Sequence, residues 1–91
     1  MPIAPLKSDG RFASPIRHIT ADRERWRVSV ETWGNDTGYH GRFVFQPDGR
    51  SPASGTREGP PQLTGPSRED VVRSAHEVTE QRLRALLHSL T

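Results

Sequence analysis

The four histidines are the first candidates for chemistry, because an imidazole can bind a metal ion or transfer a proton near neutral pH. They stand at His18, His40, His76 and His88, and their separations do not match the spacing of metal ligands. His76 and Glu80 are four residues apart and would share a helix face, but a metal site needs at least one more ligand. We therefore expect no bound metal and no cofactor.

A hydrolytic site is equally weakly indicated. Ser29, Asp36 and His40 fall on one hairpin, but nothing around them would activate a serine or orient a histidine as its base. The glycines at positions 34, 38 and 41 lack the strand–loop–helix setting of a phosphate-binding loop, so we interpret them as turn glycines. The chain has no cysteine, which excludes disulfides and thiolate metal sites. We expect a protein that is not an enzyme.

The amino-acid composition limits the size and class of protein in which these candidate residues can lie. The 91 residues are 31% hydrophobic, which allows one small domain and predicts that part of the chain does not fold. A net charge of +2 and a pI of about 9.9 come with 13 basic residues that form no contiguous block. The arginine excess is as well explained by a GC-rich bacterial genome as by function. No apolar run approaches the roughly 20 residues of a membrane helix, and no secretory signal is present, so we expect a soluble cytoplasmic protein.

Two stretches of alternating apolar and polar residues predict the strands that position the candidates. In residues 26–33, Trp26, Val28, Val30 and Thr32 share one face, and in residues 39–46 the side chains of Phe43 and Phe45 do so. The turn-forming residues 34–38 between them predict an antiparallel hairpin. Residues 16–20 are a candidate edge strand, and residues 62–64 a further brief one.

The C-terminal quarter predicts a helix over residues 68–89. Ser67 is the expected N-cap, and the acidic residues that follow suit the positive end of the helix dipole. The apolar residues occupy a broad half of the helical wheel: Val71, Val72, Ala75, Val78, Thr79, Leu83, Leu86, Leu87 and Leu90.

These elements predict an α+β fold, in which a small antiparallel β-meander of two to four strands packs against one long C-terminal amphipathic α-helix. Residues 1–14 are expected to be a disordered tail. Residues 15–91 are expected to form a single domain with a flexible loop at about residues 50–62, where large apolar residues are almost absent.

Two surfaces are candidate binding sites. The sheet face that the helix leaves uncovered would carry Arg25, Arg27, Trp33, Arg42 and Val44, unless the loop or the tail folds over Trp33. The last turns of the helix would present Leu83, Leu87 and Leu90 as an interface, unless the helix end frays and tail residues such as Phe12 fold back over it. A thin core with such surfaces predicts a small interaction or accessory module that binds a protein partner or itself.

The alternative is nucleic-acid binding by Arg and Trp on the same sheet face, where arginine pairs with phosphate and tryptophan stacks on bases. The layout of a three-stranded sheet with Arg and Trp facing outward, followed by one amphipathic helix, resembles that of AP2-type DNA-binding domains. It also resembles that of small HicB-type antitoxins, which bind a toxin. The likeness is one of topology, and a fold alone does not specify a function.

Overall fold

The computed structural model describes residues 11–48 and 55–90. They form an α+β fold in which a five-stranded antiparallel sheet carries two C-terminal helices on one face. The predicted α+β class and the antiparallel sheet are therefore confirmed. Residues 1–10 of the predicted tail and residues 49–54 of the predicted loop lie outside the described residues.

Three long strands form the meander, and they run Phe12–Ala21 (β1), Glu24–Asn35 (β2) and Gly38–Pro47 (β3). A two-residue turn joins β1 to β2, and both of its residues, Asp22 and Arg23, have positive φ angles of 56° and 65°. That geometry matches the right-handed twist of paired strands. A second short turn joins β2 to β3, where the Asn35 side chain accepts a hydrogen bond from the Thr37 backbone N–H at 2.8 Å.

Strand β1 is longer than the predicted edge strand and begins inside the segment predicted to be a disordered tail. Its pairing with β2 shifts register between Pro15 and Arg17, which is a β-bulge. The bulge and the proline break the alternation that would have marked residues 12–15 as a strand.

Two short strands share the far edge of β3, and they exceed the predicted count of two to four strands. Arg57–Glu58 (β4) pairs with one half of β3, and Leu63–Gly65 (β5) pairs with the other half. Between them, the N–H groups of Gly59 and Gln62 bond to carbonyl groups of β3 at 2.8 and 3.2 Å. This edge thus behaves as one interrupted strand, and part of the predicted flexible loop belongs to it.

The prediction of one long helix is wrong. The helices run Arg68–Glu77 (α1) and Glu80–Ser89 (α2), and Val78 between them has the extended backbone angles φ −71° and ψ 131°. The Thr79 hydroxyl accepts a hydrogen bond from the Arg82 N–H and so caps a new helix. The break explains the broad apolar arc, because each helix has its own narrow buried face: Val71 and Ala75 in α1, Leu83 and Leu87 in α2.

The predicted N-cap of the first helix is confirmed. The Ser67 hydroxyl accepts from the Asp70 N–H at 3.2 Å and lies 3.1 Å from the Asp70 carboxylate, to which it donates. This reciprocal pair satisfies an amide of the first turn that would otherwise have no partner.

The core lies between the helices and one face of the sheet, which we call the inner face. Trp26, Val28, Val30, Phe43 and Phe45 from this face are all almost fully buried, as the alternation predicted. Gly41 is also on this face. It lies within β3 and not in a turn, which corrects its interpretation as a turn glycine. A Cβ atom at Gly41 would lie 2.6 Å from Cγ1 of Val71, so the missing side chain lets α1 approach the sheet.

Candidate outer-face site

The opposite side of the sheet, which we call the outer face, carries all five predicted sheet residues. In the β2–β3 register Ser29 pairs with Val44, and Glu31 pairs with Arg42. Because successive side chains alternate between faces, this register aligns the polar residues of both strands on one side. The face therefore holds Arg25, Arg27, Trp33, Arg42 and Val44.

One end of the outer face holds a group of basic side chains around a single carboxylate, which we call the Asp48 cluster. Asp48 follows β3, and its backbone N–H bonds to the Arg25 carbonyl at 2.8 Å, which fixes it beside β2. Its carboxylate lies 3.3 Å from His18 Nε2, 3.5 Å from Arg25 Nε and 3.4 Å from Arg27 Nη2. Three basic side chains thus share one acid.

The other half of the face holds a charge network with equal numbers of arginines and acids, which we call the Glu31 cluster. Arg42 donates to Glu31 through Nε at 2.7 Å, and its Nη2 lies 3.3 Å from Glu58. Arg11 donates to the same Glu31 oxygen at 3.2 Å. Arg42 and Glu31 side chains are each only about a quarter exposed, at 24% and 25%, so this pair is better shielded than the Asp48 contacts.

Trp33 lies at the edge of the Glu31 cluster, where it is half-buried. The Arg11 guanidinium lies 4.6 Å from the centre of the indole ring, and the His40 ring stacks on it at 6.1 Å. His40 is in turn held by Asn35, whose Oδ1 lies 3.3 Å from His40 Nε2. Arg11, which precedes β1, and His40 thus both pack on Trp33 and fix the orientation of the indole.

Between the two clusters lies a row of short side chains, which we call the central row: Pro15, Ser29 and Val44. The register places Pro15 opposite Ser29, and Ser29 opposite Val44. Arg27 and Glu31, which belong to the clusters on either side of this row, are four residues apart along β2. This separation corresponds to about 13 Å. The central row therefore separates the two clusters with uncharged side chains, and it ends at Glu58, which pairs with Val44.

The sheet edges are less suited to binding another strand. Pro15 has no backbone N–H, and the bulge at this point interrupts the regular ladder of β1. Further along β1, the Arg84 side chain donates to the Thr20 carbonyl at 2.8 Å and covers that part of the edge. The opposite edge consists of the two- and three-residue strands β4 and β5.

The leucines that were predicted to form a helix interface pack against the core of their own chain. Leu83 and Leu87 are both 0% exposed, because they pack into the core of their own chain. Leu90 is half-buried and packs against the same core. Leu86 remains partly accessible and lines a cleft of about 480 Å³ with Phe43 and residues of α2.

In residues 11–48 and 55–90, no group of three or more His, Asp or Glu side chains is placed to hold a metal ion. Ser29 pairs with Val44 in the central row, whereas the His40 ring contacts Asn35 and Thr37 near the turn. The hydrolytic arrangement considered from the sequence is thus not assembled.

Sequence reasoning did not single out Arg11, His18 or Asp48 as site residues. Arg11 lay in the predicted tail, and Asp48 was interpreted as part of a turn. The positions of these residues relative to Trp33 and Arg25 depend on the pairing of β1 and on the point where β3 ends.

Comparisons with family models, with curated proteins and with solved structures give no match to this chain. In the part of the chain that the structure describes, neither helix is long and apolar enough to cross a membrane.

Proposed function

We propose that this chain is a non-catalytic interaction module that binds a protein partner through its outer face. One observation carries the proposal: both described helices pack on the inner face, while Trp33, Val44 and four arginines lie together on the other. The obstructed edges favour binding through the face over strand addition.

The residue types on the outer face support a protein interface. Tryptophan and arginine are enriched among the residues that contribute most to protein binding. Trp33 and Arg42 are already held by neighbours, so their side chains lose little conformational freedom when a partner arrives. The central row adds an apolar contact at Val44 beside these anchors.

The proposal is tested with Trp33→Ala and a matched control, Phe12→Ala. Phe12 is 55% exposed, but the register places it opposite the buried Thr32 and therefore on the inner side of the sheet. Both changes remove a partly exposed aromatic ring, but only Trp33→Ala alters the outer face. We expect a partner captured by the wild-type protein, identified and then purified, to bind Trp33→Ala at least about tenfold more weakly.

The control should bind the purified partner as the wild type does, and circular dichroism should show unchanged helix content in both variants. Equal affinity of wild type and Trp33→Ala for every captured protein would refute binding at the outer face.

Nucleic-acid binding by Arg25, Arg27, Arg42 and Trp33 is the second candidate. The arginine guanidinium groups near the Trp33 ring favour it, since such groups combine stacking with phosphate contacts. Fluorescence anisotropy with mixed-sequence DNA and RNA at low salt separates the candidates. Binding that weakens steeply as salt rises would support nucleic acid, and no binding at low salt would remove it.

A further inference from the structure

The Asp48 cluster contains more hydrogen-bonding capacity than its single carboxylate uses. The contacts of Arg25 and Arg27 to Asp48 are 3.5 and 3.4 Å long, whereas a strong charge-assisted contact measures about 2.7–2.9 Å. The two arginine side chains are 65% and 52% exposed. A planar guanidinium with five N–H donors can therefore donate to a second carboxylate here without breaking a strong existing bond.

The described chain has one more arginine than it has acids, 11 against 10, and this surplus falls in the Asp48 cluster. The outer face carries four arginines and three carboxylates. In the rest of the described chain the number of arginines equals the number of acids. The Glu31 cluster is balanced, since Arg11 and Arg42 stand with Glu31 and Glu58. The excess positive charge therefore lies in the Asp48 cluster.

We infer that the outer face binds an acidic segment of a partner protein, with a carboxylate beside Arg25 and Arg27 and an apolar side chain on the central row. This inference rests on the proposed function and specifies the chemistry of its partner. The central row adjoins the Asp48 cluster, because Arg27 precedes Ser29 by two residues on the same face of β2. One short segment can reach both.

A protein segment fits this face better than a phosphate backbone does. Glu31 and Glu58 lie on the same face, close to Arg42, and would repel a continuous row of phosphates. A polypeptide can place one acid at the Asp48 cluster and neutral residues near Glu31. Electrostatic complementarity of this kind mainly sets specificity and association rate.

The test uses a synthetic glutamate-rich peptide that contains one leucine, and a matched peptide in which every glutamate is replaced by glutamine. Binding to the full chain is followed by nitrogen-15 NMR, which resolves individual amides and arginine Nε–H groups. We expect the glutamate peptide to shift the signals of Arg25, Arg27 and Val44, and the glutamine peptide to leave them unchanged. The shifts should diminish as salt is raised.

Two double variants of equal charge change provide the control. The Arg25→Gln/Arg27→Gln variant should bind the glutamate peptide at least about tenfold more weakly than the wild type does. Arg73→Gln with Arg82→Gln removes two exposed arginines from the helices on the other side of the sheet and should change the affinity less than about twofold.

Three results would overturn the inference. The first is a set of shifts that lies elsewhere or survives in the Arg25→Gln/Arg27→Gln variant. The second is displacement of the peptide from these residues by a short single-stranded DNA that binds more tightly at the same salt. The third is a change in the free protein's outer-face signals with its own concentration, which would make a second copy the occupant.

The inference and the proposed function fail in different ways. A captured partner that depends on Trp33 but binds the Arg25→Gln/Arg27→Gln variant with wild-type affinity would overturn the acidic segment and leave the outer-face interface standing. Wild-type binding by Trp33→Ala would overturn the interface itself.

Discussion

A single absent side chain decides how closely α1 lies against the sheet. At Gly41, a Cβ atom would meet Cγ1 of Val71 at 2.6 Å and Cγ2 of Val30 at 3.2 Å. Both neighbours are fully buried and have no free space into which to move. Glycine at this position therefore serves packing, although its neighbours in the sequence suggested a turn.

Gly41→Ala is accordingly expected to lower the free energy of unfolding by about 1–3 kcal/mol, through overpacking between α1 and β3. Urea denaturation followed by circular dichroism measures this change. Adding Val71→Ala should make the double variant more stable than the sum of the two single losses predicts.

Gly59→Ala is the matched control, because its Cβ atom would meet Leu86 at an ordinary contact distance of 3.5 Å. We expect it to be close to neutral. A loss at Gly59 as large as that at Gly41 would mean that the α1–β3 contact is not the cause.

For the candidate site, the sequence predicted which residues share a face but not which side chains contact each other. The shared face of Arg25, Arg27 and Trp33 follows from the two-residue period of one strand, and β3 adds Arg42 and Val44 through the hairpin. Which acid each arginine contacts was not predictable. The Glu31–Arg42 pair depends on the register of β2 against β3. The sequence does not define the exact length of the turn between these strands, so the register was uncertain by one residue or more.

At the level of elements, the sequence predicted β2, β3 and the start of α1, because alternation and an N-cap are local signals. It missed β1 before residue 16 and β4 entirely, since a bulged proline-containing strand and a two-residue strand have no periodic pattern. The break between α1 and α2 was missed because two short amphipathic helices read as one helix with a wide apolar arc. Thr79 followed by Glu80 was the signal for a new N-terminus.

Thr79→Ala tests this break directly. If the helix were continuous, alanine would raise stability by a few tenths of a kcal/mol, because it is the better helix former. With Thr79 as the N-cap of α2, we expect a loss of about 1 kcal/mol in the free energy of unfolding. Ser67→Ala removes the equivalent cap of α1 and should cost a similar amount, and a stabilised Thr79→Ala variant would argue for one helix.

At the scale of the whole molecule, the buried leucines bear on oligomeric state. Leu83 and Leu87 complete the core of a single chain, so the apolar stripe that suggested a dimer is largely used within the monomer. The partly accessible Leu86 and Leu90 are a small remainder, and stable interfaces are much larger.

We therefore expect sedimentation equilibrium at low micromolar concentration to give a monomer of 10.2 kDa. A concentration-dependent mass approaching twice that value would contradict this expectation. In that case Leu90→Ala and Trp33→Ala would identify which surface associates, since the two residues lie on opposite faces of the sheet.

The two short turns of the meander also bear on the order in which the chain folds. The pairings β1–β2 and β2–β3 each close a loop of two residues, so their conformational cost is low and they can form early. The docking of α2 on β1 is the opposite case, because Arg84 meets Thr20 across 64 residues and His88 meets Asp22 across 66. Folding should thus begin in the two hairpins and finish when the C-terminal helix returns to the first strand.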